Sequence, residues 1–315
     1  MEEINFTSSL EKNVVSFSST EIGFLNTMPE LTKFMEYEIC DEKTLKKIKC
    51  LSNKHFEKLL NILCDQKSPN SMGVELSIYK IDIQTETFNH HINIKSDLRN
   101  DEYYTTIQSE LNYLLLHILS IESLVTYLIE NKSRNKKYTF LPLFIGSEYY
   151  DSGHMTCLIF DNDEYKVYLY DPNGRTTFFN DIVIDAYTKI HKIKREDIDK
   201  ELLNSMYINT SDLVDKLIIG YLDKINEVYE VKYNFISSKE WNKNNKVINR
   251  NFGDTIIGNG HCVITTIMFL HYLYTTGSKF ENIYSIITNI NDEELLYIIN
   301  CYSNGIYNNI IRFIR

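Results

Sequence analysis

The chain has 315 residues, 43% of them hydrophobic and 24% charged. That is enough apolar material for one large packed core or two small ones, and it excludes disorder as the default state. A formal net charge of −10, with no basic tract longer than Lys136-Lys137 or Lys192 to Arg195, argues against nucleic acid as the main partner, because a duplex binder needs a basic face to displace counterions. The segment from Met1 carries Glu2 and Glu3 where a secretory signal would be basic, and the apolar stretch Tyr113 to Leu119 is too short to cross a bilayer. A soluble, cytoplasmic protein without a membrane span is expected. The cysteines at 40, 50, 64, 157, 262 and 301 are scattered and form no C-x-x-C pair. This fits a reducing compartment, and with no Cys/His cluster at zinc spacing no metal or other cofactor is expected.

Residues 1 to about 68 read as helical, with apolar residues at helix spacing in Leu31 to Tyr37 and His55 to Leu63. Ser68-Pro69-Asn70 is a turn, and the alternating stretch from Val74 to Phe88 holds strands at Glu75 to Tyr79 and Ile81 to Thr87. Ile107, Leu111, Leu114, Leu115, Ile118, Leu119, Ile121 and Leu124 fall at helical spacing, so Glu102 to Glu130 reads as one broken helix or two. Strands follow at Tyr138 to Phe144, Met155 to Phe160 and Tyr165 to Tyr170, the last two forming a hairpin about Asp161-Asn162-Asp163. Asp171-Pro172-Asn173-Gly174 closes it with a turn. Ile182 to His191 and Ser211 to Tyr229 read as helices, the second capped by Ser211. Val231 to Ser237 reads as a strand and Lys239 to Gly260 as a loop. A strongly apolar helix spans Cys262 to Tyr274 with Gly277 as its C-cap, and Asp292 to Asn300 is a further helix. The order is that of an α+β protein. A largely helical N-terminal region, residues 1–135, is expected to precede a catalytic domain over 136–315.

Three residues carry candidate chemistry. A cysteine nucleophile acts as its thiolate, which a nearby imidazolium or the positive end of a helix favours. Cys262 follows Gly258-Asn259-Gly260-His261 and opens a buried helix, which supplies the second device, and backbone N–H groups in that turn would face a developing oxyanion. His154 begins one strand of the hairpin and Asp171 ends the other, so the two meet at one end of the sheet, where the carboxylate would fix the tautomer and orientation of the ring. His261 is adjacent to Cys262 and projects about 100° away on a helix, so it does not serve as that base. Cys157 lies mid-strand as a core residue, and Trp241 reads as a packing residue.

Taken in order, Phe140-Leu141-Pro142-Leu143-Phe144, His154, Leu158-Ile159-Phe160-Asp161, Tyr168-Leu169-Tyr170-Asp171-Pro172 and Gly260-His261-Cys262 resemble the core of the clan CE cysteine peptidases. That family includes the SUMO-specific (ubiquitin-like-protein) proteases, the adenovirus proteinase, core proteases of large DNA viruses and bacterial effector deubiquitinases. The resemblance covers about residues 138–275. It implies a papain-like core, with a small mixed sheet and a central helix carrying the nucleophile, and a triad of His154, Asp171 and Cys262. The implied reaction is cleavage of a peptide or isopeptide bond in a protein substrate, a polyprotein or a ubiquitin-like modifier, in the host cytoplasm if the chain is viral or a bacterial effector.

Three features depart from the family. Met155 follows the histidine where a Trp is frequent, and this speaks against a diglycine-type substrate. The segment from Asn251 to His261 lacks the usual Gln, leaving Asn259 as the nearest side-chain candidate for the oxyanion. The distance from Asp171 to Cys262 is long, which an insertion near Thr176 to Thr210 would explain. YopJ-type acetyltransferases use the same triad but generally carry Glu at the acid position, so Asp171 favours the peptidase. A non-catalytic protein-binding module on this fold is the alternative from another class.

Overall fold

A computed structural model of the chain describes residues 4–7, 14–17, 31, 35, 42–49, 51, 53–66, 74–80, 92–97, 102–108, 112–119, 121–147, 150–174, 184, 188, 191–244, 246–248 and 261–312. The elements are, in order, β1 (Ile4–Thr7), β2 (Val14–Phe17), α1 (Glu42–Lys49), α2 (Asn53–Cys64), β3 (Val74–Lys80), β4 (Ile92–Asp97), β5 (Glu102–Gln108), β6 (Asn112–Leu119), α3 (Ile121–Ser133), β7 (Tyr138–Ser147), β8 (Tyr150–Asp161) and β9 (Lys166–Tyr170). After a 3-10 turn (Arg195–Asp197) come α4 (Lys200–Tyr229), β10 (Asn234–Ile236), α5 (Ser238–Trp241), α6 (Cys262–Thr276), α7 (Phe280–Thr288), α8 (Asp292–Ile306) and a π-helical turn (Tyr307–Ile311). The class is α+β. The chain divides into two compact units, one of Met1–Gln66 with Val247–Arg315 and one of Lys67–Lys246. The boundary expected near residue 135 falls between α3 and β7, both of which belong to the second unit.

The second unit is built on a mixed sheet of order β10-β9-β8-β7-β3-β6-β5-β4. β3 and β7 run parallel, as do β9 and β10, and the remaining pairs are antiparallel. The parallel step from β9 to β10 is made through a connection that contains α4, since a parallel pair cannot be joined by a tight turn. The expected strands at the β7–β10 end are present and β3–β6 extend them, so the described residues before 135 include strands as well as helices. Glu102–Gln108 and Asn112–Leu119 form strands where helices were expected, and helix is present from Ile121. Tyr103, Tyr104, Thr105, Thr106 and Ile107 are aromatic or β-branched and suit a pleated surface, a local preference that the helical spacing of leucines concealed. The strand expected at Ile81 to Thr87 lies outside the described residues.

One face of β7–β9 forms a core. Leu141, Leu143, Leu158, Phe160, Val167 and Leu169 pack with Leu124, Val125 and Leu128 of α3 and Leu217, Ile218, Tyr221, Leu222 and Ile225 of α4. Burying each such side chain contributes roughly 1.5–3 kcal/mol before entropy is counted. α3 ends where Asn135 adopts a left-handed φ of 55° and Lys136 N–H returns to Asn131 O at 3.0 Å, the usual way of stopping a helix. α4 starts at Lys200, so Ser211 lies inside it and is not its cap.

The β8–β9 turn is held by two buried polar residues. Asp161 accepts the N–H groups of Asp163 and Glu164 on Oδ1, both at 3.0 Å. Asn162 donates from Nδ2 to Lys136 O (2.8 Å) and Thr139 Oγ1 (2.9 Å), and its Oδ1 accepts from Tyr233 Oη at 2.8 Å. Burial, reinforced by Tyr229, Tyr165 and Asp161, holds the Tyr233 phenol well above its ordinary range, so it stays a donor. Asn162→Ala strands three groups, two of them buried, and is expected to destabilise this unit by about 2–4 kcal/mol, against about 1 kcal/mol for Tyr233→Phe. Urea unfolding of the two variants checks this, and equal costs would show that the asparagine does not tie the three groups together.

In the first unit, β1 and β2 pair antiparallel, an arrangement absent from the helical reading of residues 1–68. α1, α2, α7 and α8 pack around α6. Every residue of α6 from Cys262 to Leu273 is buried, as a helix apolar all round requires. Phe269 makes edge-on contacts with Phe280 and Tyr284 of α7, at centroid distances of 5.4 and 6.1 Å. Gly277 ends the helix at φ 59°, its N–H bonded to Leu273 O, as expected of the C-cap. His271 Nδ1 lies 2.9 Å from Tyr302 Oη inside the bundle.

Glu57 on α2 is also buried, and desolvation raises its carboxyl from 4.5 to about 7. The folded state therefore holds this proton more tightly than the unfolded chain. The associated stability is fully present below pH 4.5, is lost as pH rises from 4.5 to 7, and amounts to about 3 kcal/mol. Glu57→Gln is expected to remove this loss, so the variant should exceed the wild type in unfolding free energy at pH 8 and match it more closely at pH 4.5. A constant difference across that range would rule out Glu57 as the source. No helix among the described residues is long and apolar enough to cross a membrane.

Candidate active site

His154 lies in β8 opposite Ile145 of β7. Along β8 it alternates on the same side as Thr156, Leu158 and Phe160. β8 pairs with β9 through Cys157 opposite Tyr170, and Asp171 is the next residue. Continuing that register sets Asp171 across from Thr156, two residues from His154 on one face, a diagonal that long side chains span. His154 Nε2 lies 2.8 Å from Asp171 Oδ1. The two residues are only 1% and 4% exposed, so the bond is made out of water, where it is stronger and where its loss costs more.

The turn after β9 shapes the carboxylate. Asn173 N–H donates to Asp171 Oδ1 at 2.8 Å, Gly174 N–H donates to Asp171 O at 3.0 Å, and Gly174 takes φ 78°. Oδ1 thus receives two donors, while Oδ2 is buried with no hydrogen-bond partner. A carboxylate only accepts, so Nε2 is the donor of this bond. The sequence marks this segment as a turn, but a turn signal alone does not reveal that its backbone grips the acid.

Cys262 is the first residue of α6, in the other compact unit, and is buried. His261 precedes it as the N-cap residue, and its side chain makes no capping bond. The first N–H groups of a helix have no acceptor within the helix, and their dipoles favour negative charge at this position. Asn259, with Gly258 and Gly260, lies outside the described residues, as do Cys40, Cys50 and the His90-His91 pair. Cys157 is buried in β8 and donates to Leu158 O at 3.4 Å, a core role. Burial pushes the Cys301 thiol up to about 12, so it remains protonated and unreactive at neutral pH. Among the described residues no group of three or more His, Cys, Asp or Glu could hold a metal ion.

No protein-family model matches the chain, and neither a curated protein nor a solved structure matches it.

Proposed function

We propose that the chain is a cysteine hydrolase of papain-like plan that cleaves a peptide or isopeptide bond in a protein substrate in the cytoplasm, with Cys262 as nucleophile, His154 as base and Asp171 as the orienting acid. The observation that carries this reading is the buried 2.8 Å bond between His154 Nε2 and Asp171 Oδ1. A surface turn histidine has no use for a desolvated carboxylate partner, whereas a general base needs one to hold its tautomer and to stabilise the imidazolium. Cys262 at a helix start supplies the second requirement, a site that favours a thiolate.

In this reading Cys262 Sγ transfers its proton to His154 Nδ1 and attacks the carbonyl carbon. Backbone N–H groups at the start of α6 hold the oxyanion, with Asn259 a candidate for a further donor. The intermediate collapses as Nδ1–H protonates the leaving amine. Water, deprotonated at Nδ1, then releases the acyl group and restores the thiol. Asp171 remains ionised throughout and holds Nε2–H.

The test is site-resolved alkylation of the full chain between pH 6 and 8, paired with ubiquitin, SUMO and polyprotein-derived peptides carrying a C-terminal electrophile. Cys262 should react much faster than an ordinary thiol and should be the residue trapped by one of these probes. A Cys262 that alkylates no faster than an ordinary thiol and is trapped by none of them would leave a protein-binding module as the better account.

A further inference from the structure

We infer that Thr156 is a positioning residue for His154: its methyl group fills the space beside Asp171 and keeps the His154–Asp171 hydrogen bond dry. The inference rests on His154 acting as the base. His154, Thr156, Leu158 and Phe160 alternate onto one face of β8. On that face Leu143, Leu158 and Leu169 belong to the core, so Thr156 stands on the strand between the leucines and His154. Cys157 pairs with Tyr170, and carrying the register on by one residue sets Thr156 directly across from Asp171, with Cβ atoms about 5 Å apart. Thr156 is fully buried.

Its hydroxyl is turned the other way. Thr156 Oγ1 donates to Leu143 O at 3.2 Å, and Leu143 is its partner on β7. A hydroxyl has one proton to donate, so Thr156 gives none to the carboxylate, and Asp171 Oδ2 is buried with no hydrogen-bond partner. The substituents on Cβ are staggered about 120° apart. With the oxygen towards β7, the methyl therefore leans towards β9, where Asp171 lies. A methyl takes up about the room of one water molecule, roughly 30 Å³. With the methyl gone, that room would border an acceptor with no donor, and polar cavities of this size fill with water. Such a water would compete for the carboxylate and weaken the bond to Nε2–H.

The experiment is NMR of the full chain with labelled histidine, in which exchange of the His154 Nε2–H with water is measured by saturation transfer. The His154 signals are assigned by their disappearance in His154→Gln. In the wild type a downfield, slowly exchanging Nε2–H resonance is expected. Thr156→Ser removes the methyl and keeps the hydroxyl, and should exchange at least about tenfold faster, with the resonance moved upfield. Thr156→Val keeps a methyl on the β9 side and removes the hydroxyl, and should exchange as the wild type does. Tyr233→Phe loosens the Asn162 turn at the other end of the hairpin, and should also leave the exchange unchanged.

A folded Thr156→Ser with unchanged exchange overturns the inference, as does a wild type without the downfield resonance. Equal acceleration in the Ser and Val variants overturns it too, because the hydroxyl's anchorage on β7 would then be the cause. If Tyr233→Phe accelerates exchange as much as Thr156→Ser, general loosening of the unit accounts for the effect and the inference falls. Should Thr156→Val not fold, the comparison of Thr156→Ser with Tyr233→Phe decides by itself. None of these readouts needs turnover. An unreactive wild-type Cys262 with exchange rates as described would refute the hydrolase and leave the role of Thr156 standing; a reactive Cys262 with unchanged exchange in Thr156→Ser would do the reverse.

Discussion

Cys262→Ala is expected to abolish turnover, by roughly 10⁴-fold or more, with the helical bundle of the first unit intact. The substitution removes one sulfur from the first residue of α6. Alanine is the strongest helix former, and a cysteine-to-alanine change at an element's end leaves a small cavity, worth about 1 kcal/mol. Circular dichroism and urea unfolding should therefore resemble the wild type while covalent trapping disappears. Cys301→Ala is the matched control. Its thiol is pushed up to about 12 by burial, so it contributes no thiolate at neutral pH, and its loss should leave turnover unchanged. Hydrolysis retained in folded Cys262→Ala would end the proposed mechanism.

The parts of the fold that follow from short-range rules were legible in the sequence. The β8–β9 hairpin announces itself through Asp161-Asn162-Asp163 between two β-rich runs, and α6 through an apolar run closed by Gly277. The pairing of His154 with Asp171 follows from that hairpin, since two strands about a short turn bring the start of one beside the end of the next.

What could not be read was set by partners distant in the chain. Ile107 of β5 and the leucines of β6 satisfy a helical period by coincidence, and the strand state of both is decided by the ladders from β4 across β5 and β6 to β3. Asn162 reads only as part of a turn, and nothing nearby in the sequence signals that Tyr233 will come to its carboxamide. The parallel placement of β3 against β7 has no local signature at all.

Asp171→Ala is expected to slow turnover by about 10⁴-fold, near the effect of removing the acid from a hydrolytic triad, and Asp171→Asn by only about tenfold, because here the Asn173 N–H holds the amide oxygen towards the ring. Alanine takes the acceptor from two donors at once, the buried His154 Nε2–H and the half-buried Asn173 N–H, so both the ring's orientation and the compensating charge are lost. Asparagine loses the charge alone. Its amide oxygen is kept in the Oδ1 place because a flipped amide would set NH₂ against Asn173 N–H, two donors facing each other, while the other site, now Oδ2, has no donor to lose. Nε2–H therefore still finds an acceptor and Nδ1 remains the base. The missing charge makes the imidazolium less stable and lowers the pKa of the His154 ring. The thiolate–imidazolium pair then survives over a narrower range, so the alkaline limb of the pH–rate profile should move to lower pH in Asp171→Asn. The measurement is kcat/KM against pH for both variants. Equal losses in the two would show that charge, not placement, is what Asp171 supplies; no loss in either would remove Asp171 from the mechanism.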